Sequence, residues 1–136
     1  MSTTNDPEGT IPFSDAIDMT ANWRQHLASS GQPFVTQSFL IPIVSFTNIL
    51  LYNPDAEGVN AYIGLENPTD LTTAKLILVP VVNGQDVPVI PNPNGKANSI
   101  QSNVYDLASS CPPFCIVDSA LNGCEILKTD LKVDQF

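Results

Sequence analysis

Cys111-Pro-Pro-Phe-Cys115, with Cys124 nine residues further on, is where residue types and spacing in this chain come nearest to chemistry. Three thiolates, with His26 as a fourth ligand, would suit a zinc ion. The spacing fits zinc only loosely, because structural sites usually hold cysteines as closer pairs and no second pair follows. Cys111 and Cys115 would also reach disulfide geometry across a turn if their Cα atoms came within about 7 Å. The plainer alternative is a stiff Pro-Pro turn with two small apolar thiols packed beneath it. An odd number of cysteines points to reduced thiols rather than a disulfide framework. The expectation is three free thiols, no bound metal and no cofactor, with metal or thiol dependence kept as the second reading.

Any histidine chemistry would have to use His26, the only histidine. A Cys–His dyad would need a cysteine against the helix that carries it, and nothing in the sequence places one there. A solvent-facing histidine in a last helical turn is the expectation. Asp55 and Glu57 flank a turn before Gly58, but the alternating oxygens of a calcium loop are absent. The chain has no G-x-S-x-G, no phosphate-cradling glycine loop and no H-E-x-x-H. A small hydrolase or transferase is therefore the third reading.

Composition narrows the partners. The 136 residues are 43 % hydrophobic but only 14 % charged, and fourteen acids stand against five bases, for a net charge of −9. Nucleic-acid binding depends on Lys and Arg neutralising phosphates, so nucleic acid is excluded as an expected partner, as are anionic membrane surfaces. The longest apolar run, Phe39–Val44, is too short to span a bilayer. The polar, acidic N-terminus has neither the basic nor the apolar region of a secretory signal, and Met1 argues against a removed one. A cytoplasmic location is expected.

The elements that must position these residues are legible from patterning. Residues 1–12 read as a flexible arm and 13–136 as a single domain. A helix is expected over 14–29, capped by Ser14, with Ala16, Met19, Thr20, Trp23 and Leu27 on one apolar face. Trp23 is expected in the core, and Arg24 on a nearby acid or carbonyl. Gly31 and Pro33 stop the helix. Phe34–Ile43 reads as a short or edge strand, because Pro42 lacks a ladder donor. A second helix is expected at 45–52, with Phe46, Ile49, Leu50 and Asn53 at helical spacing.

Residues 58–89 carry the densest strand pattern. Three runs, Val59–Leu65, Ala74–Val82 and Gln85–Val89, are separated by Asn67-Pro-Thr-Asp70 and by Asn83-Gly84. Asn-Gly favours a type I′ hairpin, whose two central residues both need φ > 0. This predicts an antiparallel meander with Ala74–Val82 in the middle, paired to the third run for about two pairs before Pro80 breaks the ladder. The middle run is apolar on both faces. Two helices can cover one face, and the other, with Ile77, Val79 and Val81, needs the C-terminal segment or a partner, a partner being the expectation. Residues 90–102 read as a loop, 104–107 as a last short strand, and 119–136 give mixed signals. The predicted class is α+β: one small domain, a mostly antiparallel sheet of three to five strands, and one or two helices on one face.

Thr20-Ala-Asn-Trp-Arg24, Phe39-Leu-Ile-Pro42, Ala61-Tyr-Ile-Gly-Leu65, Lys75-Leu-Ile-Leu-Val79 and Cys111-Pro-Pro-Phe-Cys115 together resemble a group of small bacterial proteins with no assigned activity. The resemblance covers most of 13–122. It implies that these segments belong to one domain, and it implies no catalytic residue. The leading reading is a non-enzymatic structural or interaction module that self-associates through a sheet face or edge, with Phe34–Ile41 as the candidate edge and Ile77, Val79 and Val81 as the candidate face.

Overall fold

The computed structural model describes residues 6–116 and 118–123. Cys124 and the remaining C-terminal segment lie outside the described residues. The elements run α1 (Phe13–Ser29), β1 (Ser38–Leu40), α2 (Ile43–Tyr52), β2 (Gly58–Leu65), β3 (Ala74–Val82), β4 (Gln85–Asp86), β5 (Val89–Pro91), β6 (Ile100–Ser102) and β7 (Ser109–Cys111). The fold is α+β, and among the described residues every strand pair is antiparallel. The strands form three small sheets, ordered β1-β7, β2-β3-β4 and β5-β6, so their total exceeds the expected range.

The meander forms as its sequence predicts, with β3 in the middle. β2 and β3 pair over eight positions, from Gly58 opposite Val81 to Leu65 opposite Ala74. Asn83 and Gly84 turn with φ of 52° and 75°, which sets Val82 opposite Gln85 and Val81 opposite Asp86. The ladder stops there because Pro80 has no N–H to give. Its carbonyl still accepts from the Val87 N–H at 2.9 Å. Proline's missing donor faces β4 and not β2, so the long β2–β3 ladder is uninterrupted. One step further along the same side of β3, Leu78 exchanges N–H and C=O bonds with Tyr105 (2.9 and 3.0 Å).

Several expectations are corrected. The region 90–102 is not a plain loop: β5 and β6 form a hairpin whose connection uses left-handed Asn92, Asn94 and Asn98. Asparagine tolerates that conformation because its short polar side chain bonds locally, as when Asn92 Oδ1 accepts from the Asn98 N–H at 2.9 Å. The expected strand at 104–107 reduces to the Tyr105 bridge, and the strand instead forms at β7. The Phe34–Ile41 edge shrinks to three residues already paired with β7, because Pro42 starts α2.

Helix α1 spans nearly the predicted residues. Pro12, not Ser14, occupies its N-cap, and it closes with the Ser30 N–H on His26 O before left-handed Gly31. Its packed face is rotated from the expected one. Ile17 is buried, the expected Ala16, Thr20 and Leu27 are half-buried together with Arg24, and Met19 and Trp23 are exposed. The helix packs chiefly against the turn Ala120–Asn122. As expected, Arg24 bonds a carbonyl: its Nη1 donates to Leu121 O at 2.6 Å.

Trp23 is 40 % exposed, which overturns its expected core position. The cause is its polar edge. Nε1 donates to Thr36 O at 3.0 Å, and the ring stacks on His26 with centroids 5.6 Å apart.

The centre is held by a polar pair. Asn53 caps α2, and its amide donates to Ile49 O and Asn103 Oδ1, each at 3.0 Å. Asn103 Nδ2 donates in return to Asn53 Oδ1 at 2.8 Å and to Val87 O at 2.9 Å. Tyr105 adds its hydroxyl to Asn103 Oδ1 at 2.9 Å. Both asparagines are buried, so the network ties α2 to the strands where water does not compete.

Candidate interaction surface

Among the described residues, strand β2 has β3 on one side and no strand on the other. Gly58, Asn60, Tyr62 and Gly64 face Val81, Val79, Ile77 and Lys75, and they point their N–H and C=O groups into the ladder. The alternate residues must point theirs outward. The β3 bonding fixes this phase. Leu78 gives its own N–H and C=O to Tyr105, so its partner Ala61 gets neither. Val59, Ala61, Ile63 and Leu65 therefore line an open edge, and their side chains share one face of the sheet.

Those side chains are poorly covered: all four are exposed, Ile63 by 65 %. The strand contains no Lys, Arg, Asp, Glu or Pro, the residues that usually blunt an edge. On the opposite face the polar side chains lean inward. Asn60 Nδ2 donates to Asp86 Oδ1 at 2.7 Å, and the Tyr62 hydroxyl donates to Asp86 Oδ2, both reaching over β3 to β4. The Tyr62 hydrogen bond, then that of Asn60, holds the Asp86 carboxyl below its ordinary pKa. The same bond to Asp86 is the main cause that raises the Tyr62 hydroxyl above its own.

The three residues expected at a contact sit differently. Val79 is only 5 % exposed and Ile77 and Val81 are half-buried, so this face of β3 is largely covered within the chain. Ile77 Cδ1 lies over Gly64, 2.8 Å from where a Cβ would stand. The open apolar surface is on β2, and a second one lies on α2. That helix buries Ser45 and Ile49 but exposes Ile43, Leu50 and Leu51.

The cysteine motif is a disulfide. Cys111 and Cys115 are joined with Cα atoms 4.7 Å apart, which corrects the expected free thiols at both positions. The turn between them is closed by Phe114 N–H to Ser110 O (3.0 Å) and Cys115 N–H to Pro113 O (3.1 Å), bringing the two Cα atoms within bridging reach. Sulfurs bonded to each other offer a metal no thiolate. Among the described residues, no three His, Cys, Asp or Glu side chains gather where they could hold a metal ion. Protein unfolded without reductant is expected to show one reactive thiol per chain, and three after reduction. Alkylation followed by mass measurement checks this.

A cleft of about 440 Å³ lies between the β2–β3 connection and the segment leading into the disulfide turn, with Thr72, Lys75, Asp106 and Phe114 in its walls. Lys75 Nζ sits 3.9 Å from Glu66 Oε2 and 3.5 Å from Asp106 Oδ2. Its charge is thus matched within the chain.

Fold and surface together define a small α+β protein with, among the described residues, one long unblunted sheet edge. The chain matches no family model, no curated protein and no solved structure. Among the described residues, no helix is long and apolar enough to cross a membrane.

Proposed function

We propose that this protein is a non-enzymatic structural or interaction module that self-associates through the edge of its central sheet. The observation that supports it is β2, eight residues long, solvent-exposed along nearly its whole length and free of charge and proline. Such an edge is a template for another strand, with main-chain hydrogen bonds supplying affinity. Nucleic acid is disfavoured as a partner by the net charge of −9. The expected cytoplasmic location agrees poorly with the Cys111–Cys115 disulfide, since such bonds persist in oxidising surroundings.

The test is mass in solution. At micromolar concentration the chain is expected to sediment above 14.6 kDa, and to do so more fully at high salt, because screening removes repulsion between acidic copies and leaves apolar burial intact. Ile63→Lys is expected to return it to the single-chain mass, whereas Leu51→Lys on α2 leaves the assembly in place. A single species of one chain at low and high salt defeats the reading. Dissociation by Leu51→Lys but not by Ile63→Lys moves the contact to the helix and defeats the edge.

A further inference from the structure

Resting on that reading, we propose that the strand added to β2 is β2 of a second copy, antiparallel, about a twofold axis at Tyr62. The outward groups themselves fix this register. They belong to Val59, Ala61, Ile63 and Leu65, a set symmetric about residue 62. Placing Val59 opposite Leu65 of the second copy, and Ala61 opposite its Ile63, uses every outward N–H and C=O of both strands.

Moving the register by one repeat in either direction loses this. One shift brings in Glu57, whose N–H is already bonded to Val81 O at 2.9 Å. The other brings in Asn67, whose N–H is already bonded to Thr73 Oγ1 at 3.0 Å. Only the register centred on Tyr62 gives all four outward residues of both strands a free partner.

Side chains agree with it on both faces. On one face Val59, Ala61, Ile63 and Leu65 meet the same four residues, so every cross-strand pair is aliphatic, the kind that sheets favour. On the other face Tyr62 stands at the axis opposite itself. Its ring is drawn away from the edge by the bond to Asp86, which leaves the space at the axis clear. Asn60, likewise drawn toward Asp86, falls opposite Gly64. No charged side chain of β2 is brought against its like, since the strand has none. An eight-residue edge is roughly 27 Å long. Pairing along it buries less than the roughly 1,200–2,000 Å² of a standard interface, so the dimer is reversible and concentration-dependent.

The register is tested by cross-linking the full chain in a Cys124→Ser background. Tyr62 occupies a non-hydrogen-bonded pair, whose Cβ atoms lie about 4.5–5.5 Å apart. Tyr62→Cys is expected to give a reducible covalent dimer on mild oxidation, while Asn60→Cys, displaced from its own copy along the strand, stays single. Amide exchange on the unmodified chain gives a second readout that needs no variant. The N–H groups of Ala61 and Ile63 are expected to slow at least tenfold as concentration rises through the association range. A dimer by mass without the Tyr62→Cys link and without that slowing overturns the register but leaves edge association standing. Equal cross-linking by Asn60→Cys also overturns the register. A monomer at every concentration overturns both.

Discussion

Asn103→Ala is expected to destabilise the fold by roughly 2–4 kcal/mol, because one buried and two part-buried polar groups lose partners at up to about 1–3 kcal/mol each. Asn103 is fully buried. Removing its amide leaves the Asn53 carboxamide without its reciprocal partner, the Tyr105 hydroxyl without its acceptor and Val87 O without a donor. A loss of this size is a large share of the about 5–15 kcal/mol that separates folded from unfolded domains. Asn53→Ala breaks the same network from the helix side. The double variant should cost clearly less than the sum of the two singles, since residues in one hydrogen-bond network do not act independently. Urea unfolding midpoints for the three variants check both claims. An Asn103→Ala midpoint at the parent value would mean that water replaces the lost partners.

Ile49→Ala is expected to cost about 2–5 kcal/mol, the usual range for truncating a buried branched side chain to alanine. Ile49 is 1 % exposed and is the only apolar residue α2 buries. Its helix neighbours provide an internal contrast: Leu50→Ala and Leu51→Ala, both on the open side, should stay within about 0.5 kcal/mol of the parent. Thermal unfolding at a concentration low enough to keep the chain single separates this effect from association. Similar losses at Ile49 and Leu50 would show that the outer face of α2 is covered in solution.

What the sequence made legible was the local chemistry. Gly31 and Pro33 ended α1 where expected, Asn83-Gly84 turned the hairpin, and Pro80 cut its ladder to two pairs. Each depends on backbone rules acting within a few residues. The choice of helix face was not legible in the same way. Apolar or small residues sit at 16, 17, 19, 20, 21, 23 and 27 of α1, so periodicity allowed more than one stripe, and Ile17 with Arg24 prevailed through docking on the distant Ala120–Asn122 turn. The Asn53–Asn103 pair spans 50 residues and has no local signature. The candidate site was half legible. Val59–Leu65 was recognisable as a strand, but its place at the edge is set by what β3 pairs with on its other side. Tyr105 and Val87, far along the chain, decide that.

The position of the missing donor in Pro80 bears on how many copies can join. The side of β3 away from β2 is filled by β4 for two residues, then by Val87 and by Tyr105. Growth of this sheet is therefore one-sided. A strand can be added at β2, but a second copy attached there uses its own β2 to do so and presents its proline-interrupted side outward. Pairing through β2 as proposed would therefore close at two copies and would not itself extend the sheet, although an uncharged eight-residue strand is the kind of segment that otherwise could.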